Sequence, residues 1–269
     1  MRSILPAIGF GTYTLTDRAE CIETVVHALE TGYRHVDTAY VYENESLVGE
    51  AIDRADVDSE DVVVATKLWW GRLGYDDAIE MAEASRDRLG VDSIDLLYVH
   101  WPIDTYDPAE TLPALDELVD RGVIEHVGFC NCSTELLAEA EAGLDAPLAV
   151  HQVECHPLFP QNELLAYANE RGHELVAAVP LMKGAVADVP VLRSIAEAYD
   201  ATPAQVSIAW QIRRGVTPIP KGRGAHAEEN YAALELADEL DSEDVARIDE
   251  IEDRKRIVEG WPGAHWRKD

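Results

Sequence analysis

The stretch Gly32 to Gly49 reads GYRHVDTAYVYENESLVG, and the rest of the chain is organised around it. Arg34 to Thr38 has the look of a short buried strand with Asp37 at its carboxyl end. Tyr42 follows on a loop, and Asn44 and Glu45 open the next helix. Two later apolar runs end in the same manner. Val62 to Thr66 runs into Lys67, and Ile94 to Val99 runs into His100. A carboxylate, a phenol, an ammonium and an imidazole thus each end or follow a strand. If the strands are parallel in one barrel, all four groups meet at one mouth.

Working outward, helical and strand periodicities alternate along the whole chain. Ile22, Val25, Val26 and Leu29 recur at helical spacing between Asp17 and Gly32. The runs Val62–Lys67 and Ile94–His100 lack polar alternation, as strands buried on both faces do. Further strands are expected at Gly9–Tyr13, Ile124–Phe129, Leu148–Cys155, Glu174–Pro180 and Val216–Pro220. Helices are expected at 45–54, 76–89, 108–120, 133–142, 161–171, 191–199, 203–213, 228–236 and 242–251. Strands alternating with helices, with no low-complexity linker, predict an α/β chain forming one (β/α)8 TIM barrel. A doubly wound sheet is the structural alternative. The segment from 252 to 269 lacks periodicity and forms a tail; its Trp261 and Trp266 fold over the mouth as a lid or serve as surface anchors.

The composition narrows the function. The 269 residues carry 52 acidic and 22 basic side chains, a net charge of −30, and most of the basic ones are arginine. With 47% hydrophobic residues, this is not the composition of a disordered acidic chain. We expect the acidic, strongly hydrated surface of a halophilic protein, whose self-repulsion salt must screen. Molar KCl should therefore raise the unfolding midpoint; a midpoint indifferent to KCl contradicts this reading. Nucleic acid and anionic membranes are poor partners for such a surface. No basic-then-apolar leader and no apolar run of about 18 residues occurs, so the expectation is a soluble, cytoplasmic protein. A monomer is expected as well. The four cysteines form no CxxC pair. In HQVECHP, strand alternation places His151 and Cys155 on one face and His156 on the other, so no metal site is expected.

Asp37, Tyr42, Lys67 and His100 lie within DTAYVYENE, TKLW and VHWP, and these motifs in this order resemble the aldo-keto reductase family. The resemblance runs from Gly9 to Asn230. The pattern is most similar to small microbial members of the 2,5-diketo-gluconate reductase type. It implies carbonyl reduction by a nicotinamide cofactor, with Tyr42 as proton donor, Lys67 lowering its pKa, Asp37 holding Lys67, and His100 orienting the substrate oxygen. It further implies that Thr12, Asp37, Asn131, Gln152, Leu181, Lys221, Arg223, His226, Glu229 and Asn230 surround the cofactor. Tyr13, Trp69, His100 and Trp101 would line the substrate pocket, which suits small aldehydes and ketones with an apolar side.

Three departures from the family pattern stand out. Cys130 occupies the usual serine position before Asn131. Ala177-Ala178-Val179-Pro180-Leu181 replaces AYSPL, so the tyrosine that stacks on the nicotinamide is missing; Trp210 or the tail tryptophans are candidates to replace it by residue type. KGRGAHAEEN is one residue shorter than usual and puts His226 at the position of the arginine that grips a 2′-phosphate. Lys221 with Arg223 favours NADPH, with NADH or dual use as alternatives. Two rival readings remain: a slow-turnover nicotinamide-binding redox sensor or regulatory subunit on the same barrel, and a Schiff-base lyase acting through Lys67.

Overall fold

The computed structural model describes residues 3–260, 263 and 264. Eight strands are β1 (Phe10–Gly11), β2 (His35–Asp37), β3 (Val63–Leu68), β4 (Ile94–Val99), β5 (Ile124–Cys130), β6 (Leu148–Glu154), β7 (Glu174–Ala178) and β8 (Val216–Pro218). They pair in parallel in sequence order. The sheet closes on itself where Gly9 N donates to Pro218 O (2.9 Å) and Gly11 N donates to Pro220 O (3.2 Å). Pro218 in β8 and Pro220 just after it have no N–H, so they serve this seam through their carbonyls alone. A Cβ at Gly9 would lie 2.4 Å from the ring of His35 and 2.9 Å from Ile219, which explains why the seam requires glycine there. The (β/α)8 barrel is therefore the fold of this chain.

Between the first six strand ends and their successors run α1 (Arg18–Thr31), α2 (Glu45–Arg54), α3 (Tyr75–Leu89), α4 (Pro108–Asp120), α5 (Thr134–Gly143) and α6 (Asn162–Arg171). Local chemistry sets several of their starts. Asp17, Asp107 and Ser133 each accept a backbone N–H of the first turn, satisfying donors that a helix start leaves open. After β7 come a 3-10 segment (Met182–Asp188), α7 (Pro190–Ala198) and α8 (Pro203–Arg213), the last opened by a Thr202–Gln205 capping box. The helix expected over 228–236 is two helices, α9 (Ala225–Tyr231) and α10 (Ala233–Glu239), broken at Ala232; α11 (Ser242–Asp249) follows. The first strand is also shorter than expected: its bonding to β2 ends with Thr12 N donating to the Asp37 carbonyl (3.0 Å), and the chain then turns, Leu15 N donating to Thr12 O (3.1 Å).

Two apolar layers hold the barrel. The strands' outer faces pack on α1–α5 through residues such as Val25, Val36, Leu97 and Leu115. The interior is filled by Leu5, Ala65, Leu96, Tyr98, Cys130, Val150, Val176 and Ile219. A separate cluster joins α7, α8, α10 and α11 around Trp210, which is fully buried with its indole N–H donating to Asp249 (2.9 Å). Trp210 is thus a core residue of the outer helices, and the suggestion that it covers a nicotinamide is corrected. Among the described residues, no helix is long and apolar enough to cross a membrane.

Candidate active site

Because every strand is parallel, their carboxyl ends share one face of the barrel. Asp37 ends β2, Lys67 lies near the end of β3, and His100 follows β4, so the closed sheet brings all three to one mouth. Tyr42 arrives by a short 3-10 turn (Tyr40–Tyr42) that sequence periodicity does not reveal. The turn is held from behind by Asn44. This fully buried side chain accepts from Thr38 Oγ1 (2.6 Å) and donates to Thr12 O (3.0 Å) and Leu15 O (3.1 Å). The next residue, Glu45, accepts from Thr66 (2.6 Å), Ser85 (3.3 Å) and Arg88 (2.8 Å), locking α2 and α3 to β3. Asn44 and Glu45 open a helix, as expected, and also fix the Tyr42 turn.

Lys67 and Asp37 form an ion pair of 2.5 Å with side chains 0% and 2% exposed. The ammonium also donates to Thr38 O (2.6 Å). The other Asp37 oxygen accepts from Gln152 Nε2 (2.7 Å), and the Asp37 carbonyl accepts from Thr12 Oγ1 (3.0 Å). Burial pulls the Lys67 ammonium down; Asp37 and Tyr42 outweigh it, so the group lies above its ordinary value and stays charged.

The Lys67 Nζ is 5.2 Å from the centre of the Tyr42 ring. Burial pushes the phenol up, the Lys67 charge pulls it down, and the net value is raised to about 12. The expectation that Lys67 lowers this phenol is therefore right for that pair and wrong for the sum, because desolvation of the phenolate is larger. Tyr42 is consequently protonated throughout the neutral range. The ring of His100 is 6.0 Å from that of Tyr42. Burial, then the Lys67 charge, holds His100 well below its ordinary value, so the imidazole is neutral at pH 7 and offers one N–H.

Aromatic side chains wall the mouth. The Tyr13 ring, 61% exposed, meets the Tyr42 ring edge-on at 5.1 Å. Trp69 stacks on Tyr40 at 6.4 Å. Trp70, which the sequence reading did not single out for the pocket, lies 5.9 Å from the His100 ring. Trp101 is 4% exposed and packs with Ile103 and Ala264, so it backs the wall from beneath the tail. Trp261 and Trp266, the proposed lid residues, lie outside the described residues.

Of the residues associated with a cofactor, Asn131 and Gln152 are brought together. Asn131 N donates to Gln152 O (3.0 Å), and Asn131, in the left-handed region (φ 58°), donates its Nδ2 to His100 O (3.0 Å). Cys130 points inside the barrel, its thiol raised well above its ordinary value by burial. Val179 holds φ 52° directly before Pro180, an unfavourable conformation for a β-branched residue, one position after Ala178, where the stacking tyrosine is missing. Leu181 is partly buried between the main core and the outer-helix cluster.

Lys221 follows β8 and donates to Tyr13 O (3.0 Å) and Thr14 Oγ1 (2.5 Å). A Cβ at Gly222 would come within 2.7 Å of the Ala227 N, so the chain turns back tightly there. Arg223 pairs with Glu20, and His226, whose side chain is 80% exposed, pairs with Glu229 at 3.2 Å. Asn230 is 4% exposed. These groups fit a dinucleotide in kind: two amide-bearing residues lie at the ends of adjacent strands joined by a backbone bond, Asn131 turned to His100 and Gln152 to Asp37, and two cations flank a tight glycine turn. In the HQVECHP stretch, His151 accepts from Cys132 N (3.2 Å), His156 bonds Glu154 (2.8 Å), and Cys155 donates to Pro160 O (3.7 Å).

The sequence profile of the Aldo/keto reductase family matches residues 7–253. The chain belongs to the aldo/keto reductase family. The glyoxal reductase of Bacillus subtilis is 35% identical to it, over 94% of this chain and 91% of that protein. The crystal structure of MGS-M4, an aldo-keto reductase from a Medee basin deep-sea metagenome library, superposes with a TM-score of 0.90 at 31% identity, covering 94% of each chain. A Bombyx mori aldo-keto reductase in complex with NADP superposes with a TM-score of 0.86 at 27% identity, covering 94% of this chain and 91% of that one. As a member of this family the chain is an oxidoreductase acting on carbonyl compounds.

Proposed function

We propose that this chain reduces small neutral aldehydes and ketones to alcohols at the expense of NADPH, with Tyr42 as the proton donor. The observation that carries the reading is the protonated Tyr42 phenol between a buried, charged Lys67 and a neutral His100. A nicotinamide bound at this mouth supplies the hydride that no side chain can give. The chain's own groups do the rest. His100 donates its N–H to the substrate oxygen and sets its direction towards Tyr42. As negative charge gathers on that oxygen, Tyr42 gives it a proton, because a phenol is a stronger acid than an alcohol. The phenolate left behind is stabilised by the Lys67 ammonium, which Asp37 keeps charged and in place.

Asn131 and Gln152 would hold the carboxamide, and Gln152 would link that grip to the tetrad through Asp37. Lys221 would meet the phosphates. Thr12 and Leu181 would flank the nicotinamide, and Glu229 and Asn230 the adenosine. The 2′-phosphate would take Arg223 from Glu20. The aromatic wall of Tyr13, Trp69, Trp70 and Trp101 suits an apolar side on the substrate, and the glyoxal reductase among the relatives supports small carbonyls. His226→Arg should tighten NADPH about tenfold, as a new charge-assisted phosphate contact does, and leave NADH within about twofold. Fluorescence titration with each cofactor in KCl checks this. Equal changes for both would mean that position 226 faces away from the 2′-phosphate.

A further inference from the structure

The last described stretch forms no helix or strand after α11, yet it is held firmly at the mouth. Glu154, at the carboxyl end of β6, is 2% exposed. One carboxylate oxygen accepts the Ile257 N–H (2.6 Å), the other the Val258 N–H (2.7 Å). His156 Nε2, fully buried, lies 2.8 Å from the first oxygen. Beside this clamp, Lys255 N donates to Leu158 O (2.9 Å), and the Arg256 guanidinium covers the Phe159 ring at 4.4 Å. Val258 then packs on the cluster of Trp101, Ile103 and Ala264, which Trp70 also joins. Trp70 is the residue against His100.

A carboxylate is costly to bury unless hydrogen bonds replace its water. Here two of the three donors facing it are backbone N–H groups of the tail, which have no ladder of their own to join. The acid and the tail therefore satisfy each other. We propose that Glu154 is a positioning residue: its carboxylate clamps the backbone of Ile257 and Val258 and so holds the tail against Trp70 and Trp101, fixing the wall of the carbonyl pocket beside His100. Glutamine at this place has one acceptor oxygen and turns an N–H₂ towards a donor, so the clamp cannot close.

The pocket part of this inference rests on the reductase reading; the clamp itself does not. The test compares the full-length protein with Glu154→Gln, Val258→Pro, which deletes one clamped N–H, and the double variant. Trypsin cleavage at Arg254, Lys255 and Arg256, all exposed, reports the tail. In Glu154→Gln it should speed up about tenfold, as loss of a charge-assisted bond implies. KM for an aldehyde should rise by a similar factor, while kcat stays within about threefold and cofactor affinity is unchanged. Val258→Pro should behave alike, and the double variant should add little, since both act on one contact. Wild-type cleavage rates in Glu154→Gln overturn the proposal. Faster cleavage with an unchanged KM overturns it too, because the tail would then play no part in the pocket. If Glu154→Gln yields no folded protein, Val258→Pro decides by the same two readouts. A wild-type protein without turnover would sink the reductase reading alone, and the cleavage comparison would still decide the clamp.

Discussion

Tyr42→Phe should lower kcat by about 10²- to 10⁴-fold, the usual contribution of a positioned general acid. Phenylalanine keeps the ring that packs on Tyr13 and His100, so the walls of the mouth stand. Only the proton is lost. Cofactor affinity should therefore stay within about threefold of wild type, and the loss should appear in kcat rather than KM. Steady-state kinetics with one aldehyde, beside a cofactor titration, separates the two. Near-wild-type turnover in Tyr42→Phe would remove the phenol from the acid role. The raised phenol, at about 12, adds a pH expectation for the reductive direction. No loss of rate from deprotonation of free Tyr42 is expected between pH 6 and 9, since the proton-bearing form persists well above that range.

Asp37→Asn should have the largest effect on stability. It removes the countercharge of a Lys67 ammonium with no exposed surface. Breaking a buried pair from one side leaves an unpaired charge and costs about 3–5 kcal/mol. For a chain of this size that corresponds to a fall in Tm of about 10 °C. The lysine can lose its proton to escape the penalty, and the Tyr42 phenolate then has no ammonium beside it. Turnover should fall along with Tm. Thermal unfolding monitored by circular dichroism in KCl measures the first effect. An unchanged Tm would mean that Thr38 O and solvent suffice for Lys67, and that the pair is not what holds this end of the barrel.

Strand and helix positions were legible because burial imposes a period, and the fully apolar runs before Lys67 and His100 signal strands covered on both faces. Asp37, Lys67 and His100 were legible as neighbours because each sits at or beside a strand end, where a parallel barrel must bring them together; Tyr42 reaches them through the 3-10 turn that follows β2. What stayed hidden depends on partners distant in sequence. Nothing local says that Gln152 will bond Asp37, that Asn44 will tie the Tyr42 turn to Thr12 and Leu15, or that Glu154 will wait for Ile257 and Val258. Trp210 misled for the converse reason. An indole has the same type at a mouth or in a core, and only the helices packed around it decide which. The sign of the Tyr42 shift was missed because the nearby charge is visible in a motif, whereas the depth of burial is not.

The most direct test is to supply the purified protein, in high KCl, with NADPH and a panel of small aldehydes, and to count NADPH oxidised against alcohol formed. The account predicts NADPH consumption only when an aldehyde is present, one alcohol for each NADPH, and loss of both in Tyr42→Phe. Tight NADPH binding with no alcohol formed from any member of the panel would contradict it and favour a nicotinamide-binding sensor on the same barrel.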